Sequence, residues 1–92
     1  MTFRIRKNHT KVIRGIDPSE LYYYSNVIEE ALLKKFPSIN EARTRYVSIC
    51  GNEKISDNKI VEYLHNDILI ASIYEKRNDF NTVDLYVSVY IS

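Results

Sequence analysis

Val83, Leu85, Val87, Val89 and Ile91 fall on every second position near the C-terminus, with Asp84, Tyr86, Ser88 and Tyr90 between them. A period of two belongs to a strand with one face in a core and the other turned away from it. The run from Ile68 to Glu75 is equally β-rich, and the polar stretch Lys76-Arg77-Asn78-Asp79 separates the two, so the pair reads as a hairpin. At the other end Phe3 and Ile5 alternate with Arg4 and Arg6, which predicts a first strand from Thr2 to Lys7. Asn8, His9 and Thr10 then read as a polar turn. Val12, Ile13 and Ile16 read as a second short strand or a packed loop, weakened by Gly15.

The pattern changes to a helical period after Asp17-Pro18-Ser19-Glu20. Asp17 is an N-cap acceptor, Pro18 loses nothing at the first helical position, and Glu20 is placed to close a capping box. Leu21, Tyr24, Val27, Ile28, Ala31 and Leu32 then recur at spacings of three and four, forming one apolar stripe. Pro37 disfavours helical geometry at Phe36, which sets the helix from Pro18 to about Lys35.

Ser38-Ile39-Asn40-Glu41 repeats the capping-box spacing and predicts a single short turn. Tyr46 to Cys50 alternates as a short strand, with Gly51-Asn52 as the turn after it. Ser56 and Asp57 can cap a brief second helix, in which Ile60, Val61 and Leu64 share a face opposite Asn58, Lys59, Glu62 and His65. A hairpin through Asn66-Asp67 is the alternative for Ile60 to His65. These elements make an α+β domain: an antiparallel sheet of about four strands with the long helix packed on one face and the short helix beside it.

Ninety-two residues, 45% of them hydrophobic and 27% charged, suffice for one folded domain whose small core a second subunit would help. No apolar run approaches the ~20 residues that span a bilayer, and no signal-peptide core opens the chain, which points away from membranes and secretion. A lone cysteine, Cys50, excludes an internal disulfide and suits a reducing cytoplasmic compartment. The net charge of +1 hides a split. Arg4, Arg6, Lys7, Lys11 and Arg14 face no acid before Asp17, giving +5, whereas eight basic and twelve acidic side chains follow, giving −4. Such a segment either cancels against acidic neighbours within the fold or meets phosphate or an acidic protein surface.

Candidate chemistry is sparse. His9, His65 and Cys50 show no paired metal-ligand spacing, and Gly15 and Gly51 stand alone where a phosphate loop needs several glycines. No G-x-S-x-G elbow is present, and Cys50 sits in an apolar run where a thiol is structural. A metal-free ribonuclease built on His9 among Arg6, Lys7 and Lys11 is chemically coherent, since a histidine moves the proton while cations steady the phosphate.

Eight tyrosines against three phenylalanines and no tryptophan are unusual. Tyr22, Tyr23 and Tyr24 are consecutive, and because a helix turns ~100° per residue, Tyr23 must point outward. Exposed tyrosine offers contact area and a hydrogen bond at low rotamer cost, as interface hot spots do. The expectation is therefore a non-catalytic interaction protein of the phage or plasmid inhibitor, immunity or antitoxin kind, anti-CRISPR inhibitors included. It needs no cofactor or metal and binds a protein partner through Arg4, Arg6, Lys7, Lys11, Arg14 and Tyr23. A nucleic-acid-binding regulator using the basic segment is the second reading, and the small ribonuclease the third. Because Leu85 to Ile91 lacks the lysines, prolines and inward charges that protect sheet edges, the last strand either lies inside the sheet or pairs with its copy in a homodimer, with Tyr86, Val87 and Tyr90 at the seam.

Overall fold

A computed structural model describes residues 4–51, 54–78 and 80–91. The chain forms strand β1 (His9–Ile16), a 3₁₀ turn (Pro18–Glu20), helix α1 (Leu21–Lys35) and strands β2 (Glu41–Gly51), β3 (Lys54–His65), β4 (Ile68–Arg77) and β5 (Val83–Val89). The strands form one sheet in the order β1-β5-β4-β3-β2. Every neighbouring pair is antiparallel. The class is α+β as expected, with five strands rather than about four.

The topology dictates the helix. In this antiparallel order β1 and β2 run the same way at opposite edges. A connection between them must return along the strand direction while moving across the sheet. The fifteen residues of α1 cover about 22 Å, and four strand spacings make about 19 Å. One helix therefore serves, and it brings its C-terminal turn back to the level at which β1 begins.

Asp17 caps the helix as read, but Glu20 closes no capping box: its N–H goes to the Asp17 carbonyl at 2.8 Å. Asp17 Oδ1 accepts from the Ser19 N–H at 2.9 Å and the Ser19 hydroxyl at 2.7 Å, so the cap is made to Ser19. The hydroxyl and then the backbone N–H hold the Asp17 carboxyl below its usual pKa. The helix stops at Lys35, where the Phe36 N–H still reaches the Leu32 carbonyl at 2.8 Å. Along the stripe Ile28 and Leu32 are fully buried, and Leu21, Tyr24, Val27 and Ala31 partly so. Opposite them lie Val83, Leu85, Val87 and Val89 of β5 with Ala71 and Ile73 of β4, which completes the core. Tyr63 of β3, 1% exposed, donates its hydroxyl to Glu29 Oε2 at 3.0 Å and ties sheet to helix.

Four expectations are corrected. Residues 4–6 form no strand and Lys7-Asn8 is a turn, while the expected turn at His9 opens β1 (Thr2 and Phe3 lie outside the described residues). The ladder from His9↔Val89 to Ile13↔Leu85 decides this, and Gly15, at φ +70, accommodates a bulge before Ile16↔Val83. Ser38 to Glu41 makes no helical turn: Pro37-Ser38 is a simple turn, and Glu41 begins β2, which contains the expected strand at Tyr46 to Cys50.

The second helix is absent, since residues 54–65 are β3. The alternative hairpin is the one formed, with Asn66 and Asp67 at φ 47 and 67, as a two-residue type I′ turn requires. Ile60 and Val61 mimicked a helical face because consecutive residues of β3 go to opposite sides of the sheet, Val61 packing on the core. Finally, β5 pairs with β1 on one side and β4 on the other, so it has no free edge for a copy to join. Val87 is buried, Tyr86 lies within the sheet, and Tyr90 follows β5 with its hydroxyl 2.9 Å from Ser72 Oγ. The edge-paired seam is thereby excluded.

Two outcomes test this packing. Ile28→Asp places an unpaired charge at a fully buried position; it should cost several kcal/mol, comparable with the whole stability of a small domain, and cooperative melting near the parent temperature would contradict the core. Burial, then the bond to Glu29 and its charge, push the Tyr63 phenol above its usual pKa. The folded chain thus holds this proton more tightly than the unfolded one, so the contribution is complete below about pH 10 and declines as pH rises beyond it. Urea midpoints measured across that range should fall more steeply for the parent than for Tyr63→Phe.

A basic depression beside the first strand

The returning helix and the N-terminal stretch converge where β1 begins. Ile5 packs on the edge of the core, beside Val87 and Val89. With Ile5 held inward, Arg4 and Arg6 are left exposed on either side. Arg4, Arg6, His9 and Lys11 line an open depression of about 230 Å³. Next to it Arg4, Ile5, Ala31, Lys34 and Lys35 line a hollow of about 370 Å³. Arg4 belongs to both, so the two form one basic surface with an apolar floor at Ile5 and Ala31. Lys34 and Lys35 occupy the last turn of α1, where unpaired carbonyls favour cations.

Of the residues expected to bind a partner, the fold brings Arg4, Arg6 and Lys11 together. Lys7 sits apart in the exposed turn. Arg14 is engaged elsewhere, its Nη1 3.9 Å from Asp84 Oδ2, although its side chain stays 71% exposed. Tyr23 is 55% exposed on the outward side of α1, with its ring edge-on to Tyr24 at 5.7 Å. Eleven residues, three helical turns, separate it from Lys34, so both lie on one side of the helix.

The sequence reading missed Lys34 and Lys35 as part of this site. Their position just before Pro37 was visible, but the path of residues 4–6 over the core was not. His9, set among Arg6, Lys7 and Lys11 for ribonuclease chemistry, does face Arg6 and Lys11. The lining sets Arg4, Arg6 and Lys11 beside this imidazole. Such a surface can hold anionic groups. Among the described residues no three of His, Cys, Asp and Glu gather closely enough to hold a metal ion, and no helix is long and apolar enough to cross a membrane.

Asp84 is nearly buried on the opposite face of the sheet. Its Oδ1 accepts from the Gly15 N–H at 2.9 Å and from Asn78 Nδ2 at 3.3 Å, which fastens the β1 bulge to β5. Arg14 therefore belongs to a structural contact as much as to any surface.

No protein-family model matches the chain, and neither a curated protein nor a solved structure is detectably similar to it.

Asp84→Ala should cost about 2 kcal/mol in urea denaturation, because the Gly15 N–H loses its acceptor. Arg14→Gln should cost under about 0.5 kcal/mol, since an exposed partner contributes little. Equal losses would mean that the ion pair, rather than the backbone bond, secures the bulge.

Proposed function

We propose that this chain is a non-catalytic interaction protein that seats an acidic surface of a protein partner in the basic depression, in the manner of small phage- or plasmid-borne inhibitors, immunity proteins and antitoxins. The observation that supports this reading is the gathering of Arg4, Arg6, His9 and Lys11, with Lys34 and Lys35, around one shallow surface. Arginine at its centre offers planar, bidentate recognition of carboxylates, and the floor of Ile5 and Ala31 gives the contact an apolar component. Tyr23, on the side of α1 that carries Lys34, adds an aromatic contact of the kind that dominates interface energetics. A protein surface suits the site better than a duplex because the cations of this site gather around one depression rather than along a stripe that would follow a duplex backbone.

The test replaces Arg4, Arg6 and Lys11 with Gln. Stability should change by less than about 1 kcal/mol, as exposed charges contribute little singly. A protein captured by the parent chain, purified and measured against both forms, should associate about tenfold more slowly with the variant at low salt, since electrostatic complementarity acts chiefly on association. Unchanged kinetics would remove the depression from the interface. Tight, steeply salt-dependent binding of a random duplex by the parent, lost in the variant, would replace the protein partner by nucleic acid.

A further inference from the structure

The sheet carries its helix on one side, and the opposite side is laid out differently. The registers Val12↔Tyr86, Tyr74↔Tyr86, Ile60↔Tyr74 and Arg45↔Ile60 place these five residues in one row across all five strands. None of them belongs to the core beneath the helix. Tyr74 and Tyr86, on the neighbouring inner strands β4 and β5, are partly exposed, with ring centroids 5.9 Å apart and planes tilted by 57°. Beside them Thr10 Oγ1 lies 3.0 Å from Ser88 Oγ, while Ser72, opposite Ser88, is buried with its Oγ 2.9 Å from the Tyr90 hydroxyl.

The charges on this face are arranged to leave cations outward. Asp84 is taken up by Gly15, Asn78 and Arg14, and Glu62 Oε1 accepts from Arg45 Nε at 2.7 Å. The side chain of Arg45 nevertheless stays 57% exposed, and Arg43 and Lys76 are exposed as well. Glu41, at the first position of β2, is an exposed acid on the same side.

We propose that this face binds single-stranded nucleic acid, with unpaired bases stacked along Tyr86 and Tyr74 and the phosphates directed to Arg43 and Arg45. A duplex presents phosphates and groove edges, so rings lying in a sheet are useful only to bases freed from pairing. Thr10 and Ser88 beside the rings favour the same occupant, because serine and threonine are common phosphate and sugar ligands. This site is separate from the basic depression and stands or falls independently of it.

The experiment is fluorescence anisotropy with labelled oligouridine and oligothymidine of about twelve nucleotides and a duplex of similar length, at about 50 and 200 mM salt. Both single strands, or the one whose sugar the site accepts, should bind at the lower salt, with the duplex at least about tenfold weaker. Tyr86→Leu should weaken the single-strand complex about fivefold or more. Replacing Arg43 and Arg45 with Gln should weaken it and flatten its salt dependence. The variant lacking Arg4, Arg6 and Lys11 should bind as the parent does. The proposal is overturned if no single strand binds the folded protein at low salt, if the duplex binds equally well, or if Tyr86→Leu leaves affinity unchanged. Should Tyr86→Leu fail to fold, ring-proton shifts of the parent on adding oligonucleotide decide the matter: movement at Tyr74 and Tyr86 supports the site, and movement confined to the basic depression overturns it.

Discussion

His9 lies opposite Val89, and Ile13 opposite Leu85. On this antiparallel ladder between the first strand and the last the remaining architecture depends. Strands β2 to β5 form consecutive hairpins, which alone would give a four-stranded meander with β5 at a bare edge. Pairing with β1 puts β5 inside the sheet, moves the free edges to β1 and β2, and obliges α1 to run back from one edge to the other. It also lets Ile5 settle beside Val87 and Val89, so Arg4 and Arg6 arrive next to Lys11. The edge strands are the ones that carry protection. β1 has Lys11, Arg14 and a bulge, and β2 has Arg43 and Arg45.

How far this was legible in the sequence depended on whether the deciding constraint was local. Asp17-Pro18 and Pro37 act through their own backbone geometry, and they bound the helix where the residues said. Val83 to Val89 keeps one apolar face in the core, with Asp84 alone buried on the other, and its alternation survives folding. Ile60 and Val61 are different, because each finds apolar neighbours on its own side of the sheet, and two-sided burial erases the period that separates strand from helix. The alternation of Arg4, Ile5 and Arg6 was real, yet it describes a segment laid over a core, a geometry that also points every second side chain inward. The missing edge protection of β5 was read correctly as a dilemma. An interior strand and a self-paired edge meet the same need, and only a contact spanning some seventy-five residues chose between them.

The same ladder sorts the +5 charge of the first sixteen residues onto two surfaces. Strand alternation puts Lys11 on the helix side with Arg4 and Arg6, whereas the bulge at Gly15 leaves Arg14 beside Asp84 on the other. A basic run that reads as one patch in the sequence is therefore divided by the pleat. Arg4, Arg6 and Lys11 of the depression come from that run, and Lys34 and Lys35 join them from the end of the helix. Site membership here is a property of topology, and local charge density was an incomplete guide to it.

Between those surfaces lies a single sheet with few ways to flex independently. Tyr63 reaches from β3 to Glu29 on the helix, Asn58 Nδ2 donates to the Tyr74 hydroxyl, and Asn58 Oδ1 accepts from the Arg77 N–H. These polar ties fix the inner strands against each other and against α1, so a ligand on the tyrosine row meets a surface already formed and loses little in ordering it. The rigid sheet also keeps the basic depression and the tyrosine row on opposite sides. Occupying one does not bury the other, and changes made in one should add to changes made in the other, as they do for distant sites that share no partner. A 10.9 kDa domain with a single core thus has room for two separate surfaces, because the helix packs on one side of the sheet and leaves the tyrosine row on the other side partly exposed.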